Sequence, residues 1–380
     1  MTVHICHLLW SFRTGGLENG VVNLINQLEP AEFRHSIVCL TDYDQAFFSR
    51  VQRDNVQIYC LNKRPGHDLA SFWRCFRLLR QLKPDICHSR NLAAMEYQAA
   101  AFFARVPFRV HGEHGWDLTD LAGENKKYTL LKRVFKPLIH HYISLSREGR
   151  DYLHNVIKVP SERLSQICNG VDTKRFQPAP RLTSTLPEAI KTSDRLVFGS
   201  VGRIADVKNQ QLLVAAYFEL CQQHDSFKQQ TALVIIGDGP ARPQLQQQLA
   251  AAGLHQQCWL PGDRSDIATI LPGLSVFVLP SLAEGISNTI LEAMACALPV
   301  IASNVGGNAE LVESGYTGWL FASNNKAQLK HVLLQCQQAS DELQQMGNHA
   351  RAAAEQKFSL DTMVAAYRRL YLGQSQQQEG

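Results

Sequence analysis

Two periods of apolar residues alternate along this chain. Val3 to Leu9 is a mostly apolar run of strand character, and Ser11-Phe12-Arg13-Thr14-Gly15-Gly16-Leu17-Glu18 leads from it into a stretch where Val21, Leu24, Ile25 and Leu28 recur at helical spacing. The unit is strand, glycine turn, helix, and it repeats. A strand is expected over 36–40, a helix over 71–82 and, after the turn Lys83-Pro84-Asp85, a strand through Ile86, Cys87 and His88. Short strands over 109–111 and 141–145 complete a mostly parallel sheet of βα units.

Between Phe176 and Asp194 the periodicity disappears and proline, serine and threonine gather, as they do in a linker. A second βα series follows. Strands are expected over 196–201, 232–236, 258–260, 276–279 and 300–302, with helices over 208–221, 244–252 and 289–297. The pattern therefore predicts an α/β protein of two Rossmann-like halves with a cleft between them: 1–178, a linker over 179–194, and 195–358. Met363, Ala366, Tyr367 and Leu370 give a last helix over 359–372, expected to pack back toward the first half, and the final eight residues are expected to fray.

Size and charge sharpen this division. At 380 residues, 45% hydrophobic and 19% charged, the chain is too long for one compact core and too apolar for disorder. The net charge of +4 conceals an asymmetry: residues 1–180 hold 24 Lys and Arg against 17 Asp and Glu, whereas 181–380 hold 14 against 17. No helix-turn-helix, zinc pattern or aromatic RNA-binding signature accompanies the basic half, so nucleic acid is not an expected partner. The ten cysteines are scattered through apolar segments without a C-x-x-C pair, which reads as buried thiols in a reducing cytosol. No run approaches the roughly 18 apolar residues of a membrane span, so any membrane contact is expected to be peripheral.

The densest chemical signal is Pro280-Ser281-Leu282-Ala283-Glu284-Gly285-Ile286-Ser287-Asn288-Thr289-Ile290-Leu291-Glu292-Ala293-Met294-Ala295, where a strand ends and a helix begins. That is the ligand-facing edge of an open α/β sheet. Ser287 or Asn288 can cap the helix, whose first free N–H groups favour an anion such as a diphosphate. Glu284 and Glu292 are acceptors suited to sugar hydroxyls. Arg203 and Lys208, just after a strand of the acidic half, offer two cations to a pyrophosphate leaving group. Read alone, the glutamates suit a helix start and a solvated face, and the two cations suit solvent.

Together with Val300-Ile301-Ala302-Ser303-Asn304-Val305-Gly306-Gly307-Asn308-Ala309-Glu310-Leu311, this stretch resembles the signature of family 4 glycosyltransferases, the retaining enzymes of GT-B fold. Glu284 and Glu292 match the family's E-x7-E motif. Gly202-Arg203-Ile204-Ala205-Asp206-Val207-Lys208-Asn209 is similar to its diphosphate-binding turn, Asn169-Gly170-Val171-Asp172 to its turn before the linker, and Gly15-Gly16 to its N-terminal glycine loop. Glu113-His114-Gly115-Trp116-Asp117 resembles the branch associated with bacterial exopolysaccharide and exosortase-type (PEP-CTERM) systems.

The resemblance implies an enzyme that binds a UDP- or GDP-linked sugar through residues 195–312 and an acceptor, a glycan or polyprenyl-linked glycan, mainly through 1–175. His114 and Glu284 would be the catalytic residues, orienting the sugar, with His111 the competing histidine. Gly16, Arg203, Lys208, Gly239, Gly285, Ile286, Ser287, Asn288 and Glu292 would bind the donor, Glu292 at the ribose. Retention of anomeric configuration, no metal, no cofactor beyond the nucleotide sugar, and a cytoplasmic location at the inner membrane face complete the expectation. A sugar-nucleotide 2-epimerase of the same twin architecture is the alternative.

Three features are weighed against other chemistries. Gly237-Asp238-Gly239-Pro240-Ala241-Arg242 starts like a dinucleotide fingerprint, but Arg242 replaces the third glycine. Asp42-Tyr43-Asp44 spells a metal-binding D-x-D, yet follows an N-terminal strand and reads as a turn. Lys126, Lys127, Lys132, Arg133 and Lys136, with Leu131, Val134, Phe135 and Leu138 at helical spacing, could rest on an anionic membrane or pack as a surface helix.

Overall fold

The computed structural model describes residues 2–66, 68–115, 120, 123–191, 194–254 and 257–375. It divides into two compact units, one formed by residues 1–169 with 361–380 and the other by 170–360.

Unit 1 contains a seven-stranded sheet: β1 (Val3–Leu9), β2 (Phe33–Cys39), β3 (Gln57–Cys60), β4 (Ile86–Arg90), β5 (Phe108–Glu113), β6 (His141–Ser144) and β7 (Leu164–Gln166). The strands are parallel in the order β3-β2-β1-β4-β5-β6-β7, so the order reverses between β1 and β4. Alternate residues of each strand feed opposite faces. Leu9, Ile37 and Cys39 pack under the helix Gly16–Gln27, while Cys6, Leu8, Val38 and Leu40 pack under the helices Leu69–Leu82 and Gln98–Phe103. Asp68 caps the 69–82 helix by accepting from the Ser71 N–H at 3.1 Å. Lys83 ends that helix in the left-handed conformation (φ +47) immediately before Pro84, which cannot continue it. The helix Leu360–Ser375 belongs to this unit: Tyr371 meets His88 at 2.8 Å and Arg368 pairs with Glu32.

Unit 2 repeats the plan with β8 (Leu196–Val201), β9 (Thr231–Ile236), β10 (Cys258–Gly262), β11 (Val276–Leu279), β12 (Val300–Ser303) and β13 (Gly318–Phe321), parallel in the order β10-β9-β8-β11-β12-β13. Its core joins Phe198, Leu233, Val276 and Ile301 to Leu213, Tyr217, Leu329 and Leu333 of the covering helices. The short edge strands β3, β7 and β13 have no counterpart in the sequence pattern. Gly318 opens β13 at φ +157, where a Cβ would lie 1.9 Å from the Val300 carbonyl oxygen.

Residues 170–178, read from the sequence with the first half, and 179–191, read as linker, lie in unit 2. Side-chain and backbone bonds hold them there. Val171 and the 358–360 backbone exchange bonds of 2.8 and 3.0 Å, and the Arg351 guanidinium donates to the carbonyls of Phe176 and Thr173 at 2.7 and 3.1 Å. Arg181 donates to the Arg195 carbonyl and to Ser275 Oγ at 2.8 and 2.7 Å. All ten cysteines are free thiols and seven are buried. Among the described residues no helix is long and apolar enough to cross a membrane.

Candidate active site

In unit 2 the E-x7-E stretch sits where the sheet order reverses, beyond the C-terminal end of β11. Ser287 is the helix cap: its Oγ accepts from the Ile290 N–H at 3.3 Å, which fixes the start of the helix Asn288–Ala295. Leu282 donates its N–H to the Val207 carbonyl at 2.8 Å, stitching this turn to the 202–209 turn. That stitch brings Lys208 Nζ to 2.5 Å from Glu284 Oε1, and Ser281 Oγ donates to the same oxygen at 2.6 Å. Arg203 is exposed and, among the described residues, has no carboxylate partner. The two joined turns therefore present an ion pair at a capped helix start, and the 202–209 turn also carries an exposed Arg203 with no carboxylate partner among the described residues.

Glu292 is half-buried rather than on a solvated face. Burial pushes its carboxyl up to about 7, with Arg175 the opposing positive charge. Such a group changes charge near neutrality and, once ionised, can accept from two vicinal hydroxyls.

Glycines hold these turns together through their backbones. Gly237 and Gly239 take φ +141 and +154, and a Cβ on them would meet the carbonyl oxygens of Gly202 and Ile204 at 2.0 and 2.3 Å. Gly239 is thus required for packing of the 237–241 loop on the 202–208 turn, whatever its relation to a ligand. Gly306, at φ +51, presses the second half of the signature onto the first, with its Cβ position 1.8 Å from the Glu284 carbonyl oxygen. Replacing Gly306 with alanine is expected to cost about 2 kcal/mol or more, because left-handed strain and a backbone clash add. Thermal unfolding of G306A should show a lowered Tm, and donor affinity should fall with it as Glu284 is displaced.

In unit 1, His114 follows β5. Its ring nitrogens have no hydrogen-bond partner among the described residues, and its backbone N–H donates to Asn91 Oδ1 at 2.9 Å. Asn91 adopts φ +60, a conformation asparagine tolerates, and so orients the 113–115 turn. Burial, then the charge of Arg90, pushes His114 down to about 3, so it is neutral at physiological pH. His111 is committed elsewhere: its Nδ1 meets Ser89 Oγ at 2.9 Å and its Nε2 lies 3.4 Å from Glu113 Oε1. Gly112 allows the His88 and His114 rings to approach, since a Cβ there would lie 3.2 and 2.8 Å from their Nε2 atoms. Trp116 and Asp117 of the same motif lie outside the described residues. Gly15 precedes the 16–27 helix with the Glu18 carboxylate folded over it, 2.2 Å from its Cβ position, and Gly16 is the first helical residue.

The remaining candidates resolve physically. Asp42 is paired with Arg13 at 2.8 Å and Asp44 caps a short helix by accepting from the Phe47 N–H, so the D-x-D residues form a turn. The helix Lys126–Phe135 does not present five free cations. Lys132 is buried, 2.8 Å from Glu113, and Arg133 and Lys136 donate to the carbonyls of Val156 and Lys158 at 2.7 and 3.0 Å. Burial alone would raise Glu113, but Lys132 and His111 outweigh it and hold the carboxyl well below its usual range. Leu131 and Phe135 pack inward, whereas Val134 is exposed. Sequence reasoning missed Ser281, Asn91 and Lys132 as supporting residues; only the unusual tolerance of asparagine for positive φ gave a signal for any of them.

Two α/β units, each built on a parallel sheet whose strand order reverses, match the architecture of solved glycosyltransferases. Residues 185–353 match the family described as Glycosyl transferases group 1, and residues 14–175 match Glycosyltransferase Family 4. The chain is 30% identical over 343 residues, 85% of each chain, to the UDP-Gal:alpha-D-GlcNAc-diphosphoundecaprenol alpha-1,3-galactosyltransferase of Escherichia coli. It is 22% identical over 376 residues, 93% of each chain, to the N-acetyl-alpha-D-glucosaminyl L-malate synthase of Bacillus anthracis. Among solved structures, HepE of Anabaena in complex with UDP superposes with a TM-score of 0.82 at 22% identity, covering 98% of this chain and 100% of that one. The chain belongs to the family 4 glycosyltransferases and has their two-domain GT-B fold; nothing in these likenesses points to an epimerase.

Proposed function

We propose that this glycosyltransferase moves a sugar from a UDP-sugar to a glycan or polyprenyl-linked acceptor, with retention of configuration, in bacterial cell-surface polysaccharide synthesis. The observation that carries the reading is the Lys208–Glu284 pair at a capped helix start, on joined turns that also carry the exposed Arg203. The E. coli relative is named for a UDP-sugar and a diphosphoundecaprenol acceptor, and the Anabaena neighbour was solved with UDP and with UDP-glucose.

Arg203 and Lys208, with the N–H groups of the 288–295 helix, would stabilise the pyrophosphate as negative charge builds on it. These cations do the work a divalent metal does elsewhere, so the reading is metal-independent. Glu284 and neutral His114 would orient the sugar through its hydroxyls. No protein nucleophile is assigned: the acceptor hydroxyl attacks from the leaving-group side, the C1–O bond to phosphate breaks, and the departing phosphate oxygen takes the acceptor proton. Gly16, Gly239, Gly285, Ile286 and Asn288 would complete the donor contacts. The protein would act in the cytoplasm at the inner face of the membrane, with a peripheral contact that includes 126–138.

Glu292 gives a direct test. If its ionised carboxylate holds the ribose diol, UDP affinity should rise about tenfold between pH 6 and pH 8 as Glu292 deprotonates, and E292Q should bind weakly with a flat profile. Calorimetric titration at the two pH values measures this, and an unchanged slope in E292Q would remove Glu292 from the site. Acceptor-dependent release of UDP, assayed with and without acceptor, tests the transfer itself; equal release by wild type and R203A would overturn the assignment.

A further inference from the structure

The helices on one face of the unit 1 sheet form a continuous layer. Strands β4, β5 and β6 follow β3 across the switch point, and right-handed crossovers put the 69–82, 91–103 and 126–135 helices on the same side. Packing agrees: Cys75 and Leu79 meet Ala100 and Ala101 in one cluster, and Met95 meets Leu131 and Phe135 in the next. The outer surface of this layer is unusual. Leu69, Trp73, Phe102, Phe103, Leu130 and Val134 are 80, 58, 46, 62, 64 and 61% exposed, half of the twelve large exposed hydrophobics among the described residues. Clustered apolar exposure of this kind marks an interaction surface.

Charge indicates what covers it. The 69–82 and 126–135 helices contain no Asp or Glu. On the first, Leu69, Trp73, Arg77 and Arg80 recur at i, i+4, i+8 and i+11, one outward stripe with an apolar N-terminal end and a cationic C-terminal end. On the second, Lys126, Leu130 and Val134 recur at i, i+4 and i+8 with Lys127 alongside. Arg77, Arg80, Lys126 and Lys127 are exposed and make no ion pair among the described residues, in contrast to Lys132. Shallow apolar insertion by an interfacial Trp with unpaired cations at headgroup level is the chemistry of an anionic bilayer surface.

We propose that this three-helix face of unit 1 docks on an anionic lipid bilayer, with the 69–82 helix as principal contact and the 126–135 helix as its flank. The proposal rests, for its purpose, on the reading of a lipid-linked acceptor; the binding itself can be measured without any transfer reaction.

The test is co-sedimentation of the full chain with phosphatidylglycerol-containing vesicles and with pure phosphatidylcholine vesicles. The expected result is binding to the anionic vesicles alone, weakened about 30-fold in R77Q/R80Q, the factor supplied by two surface cations, and abolished in L69S/W73S. L130S/V134S should weaken it less, and L182S, which removes an exposed leucine of unit 2, should bind like wild type. Circular dichroism shows that each variant folds. Binding unaffected by the 69–82 variants, equal loss in L182S, or no binding by wild type would overturn the proposal. A wild-type dimer in gel filtration that L69S/W73S does not form would also overturn it, making the face a protein interface. Transfer to a short water-soluble acceptor should survive in all these variants; its absence even in wild type would count against the transferase substrates proposed above while leaving the vesicle result to stand alone.

Discussion

K208A should lower the transfer rate by about 100- to 1,000-fold, the loss seen when one preorganised donor is removed from a developing anion, and E284A should match it because Glu284 sets the position of Lys208. The two residues share one oxygen: Lys208 Nζ and Ser281 Oγ both point at Glu284 Oε1. Removing Glu284 leaves Lys208, whose side chain is only 24% exposed, without a counter-charge and free to collapse onto the diphosphate in a non-productive position. Removing Lys208 leaves Glu284 with the Ser281 bond and, on the proposed reading, takes a cation from the leaving group. Because each depends on the other for position, the double variant should be little slower than the slower single variant. Steady-state kinetics measures the cycle. Losses that multiply across the two variants would mean that the pair acts as two independent groups, and turnover within threefold of wild type in both would remove the turn from the reaction.

Mild acid should unfold unit 1. Burial pushes His35 and His114 down to about 3 and His4 and His141 to about 4, and drives His7 and His88 well below the ordinary value, with Arg90 reinforcing the effect at His7, His88 and His114. All six stay neutral in the fold while the unfolded chain takes up protons near pH 6.5. Stability from these groups is therefore undiminished above pH 6.5 and lost as pH falls below it, by up to about 1.4 kcal/mol per histidine per pH unit. Six such groups exceed the roughly 5–15 kcal/mol stability of a domain within about two pH units, so cooperative unfolding is expected between about pH 6 and pH 4.5. A pH titration followed by circular dichroism measures it. H35Q should unfold at lower pH with one proton fewer in the transition, and a chain still native at pH 4 would show that the cluster is hydrated or paired in solution.

The sequence pattern located β1, β8 and β11 to the residue because each is a mostly apolar run within a βα series. It missed β3, β7 and β13, three or four residues each, where edge position rather than periodicity makes the strand. At the candidate site glycines 237, 239 and 306 stood in the quoted motifs, but that each is needed where a carbonyl approaches to about 2 Å was visible only in the fold. Nor was the pairing of Lys208 with Glu284 legible, since 76 residues separate them and the 207–282 backbone bond that joins their turns is long-range. Lys132 shows the converse error. Spacing suggested a solvated cation, whereas its charge is neutralised by Glu113 from a neighbouring strand, a partner no local pattern reveals. Glu292 likewise looks like a surface residue in the helical pattern, and only the tertiary fold half-buries it.

The return of residues 361–375 to unit 1 sets an order on biosynthesis. Unit 2 is, in connectivity, an insertion into unit 1, and His88 and Glu32 meet partners 283 and 336 residues further along the chain. On the ribosome, residues 170–360 can close their sheet while the earlier-made unit still lacks its final helix. The part of the protein translated first is therefore finished last, and His88 lacks its Tyr371 partner until that residue has emerged.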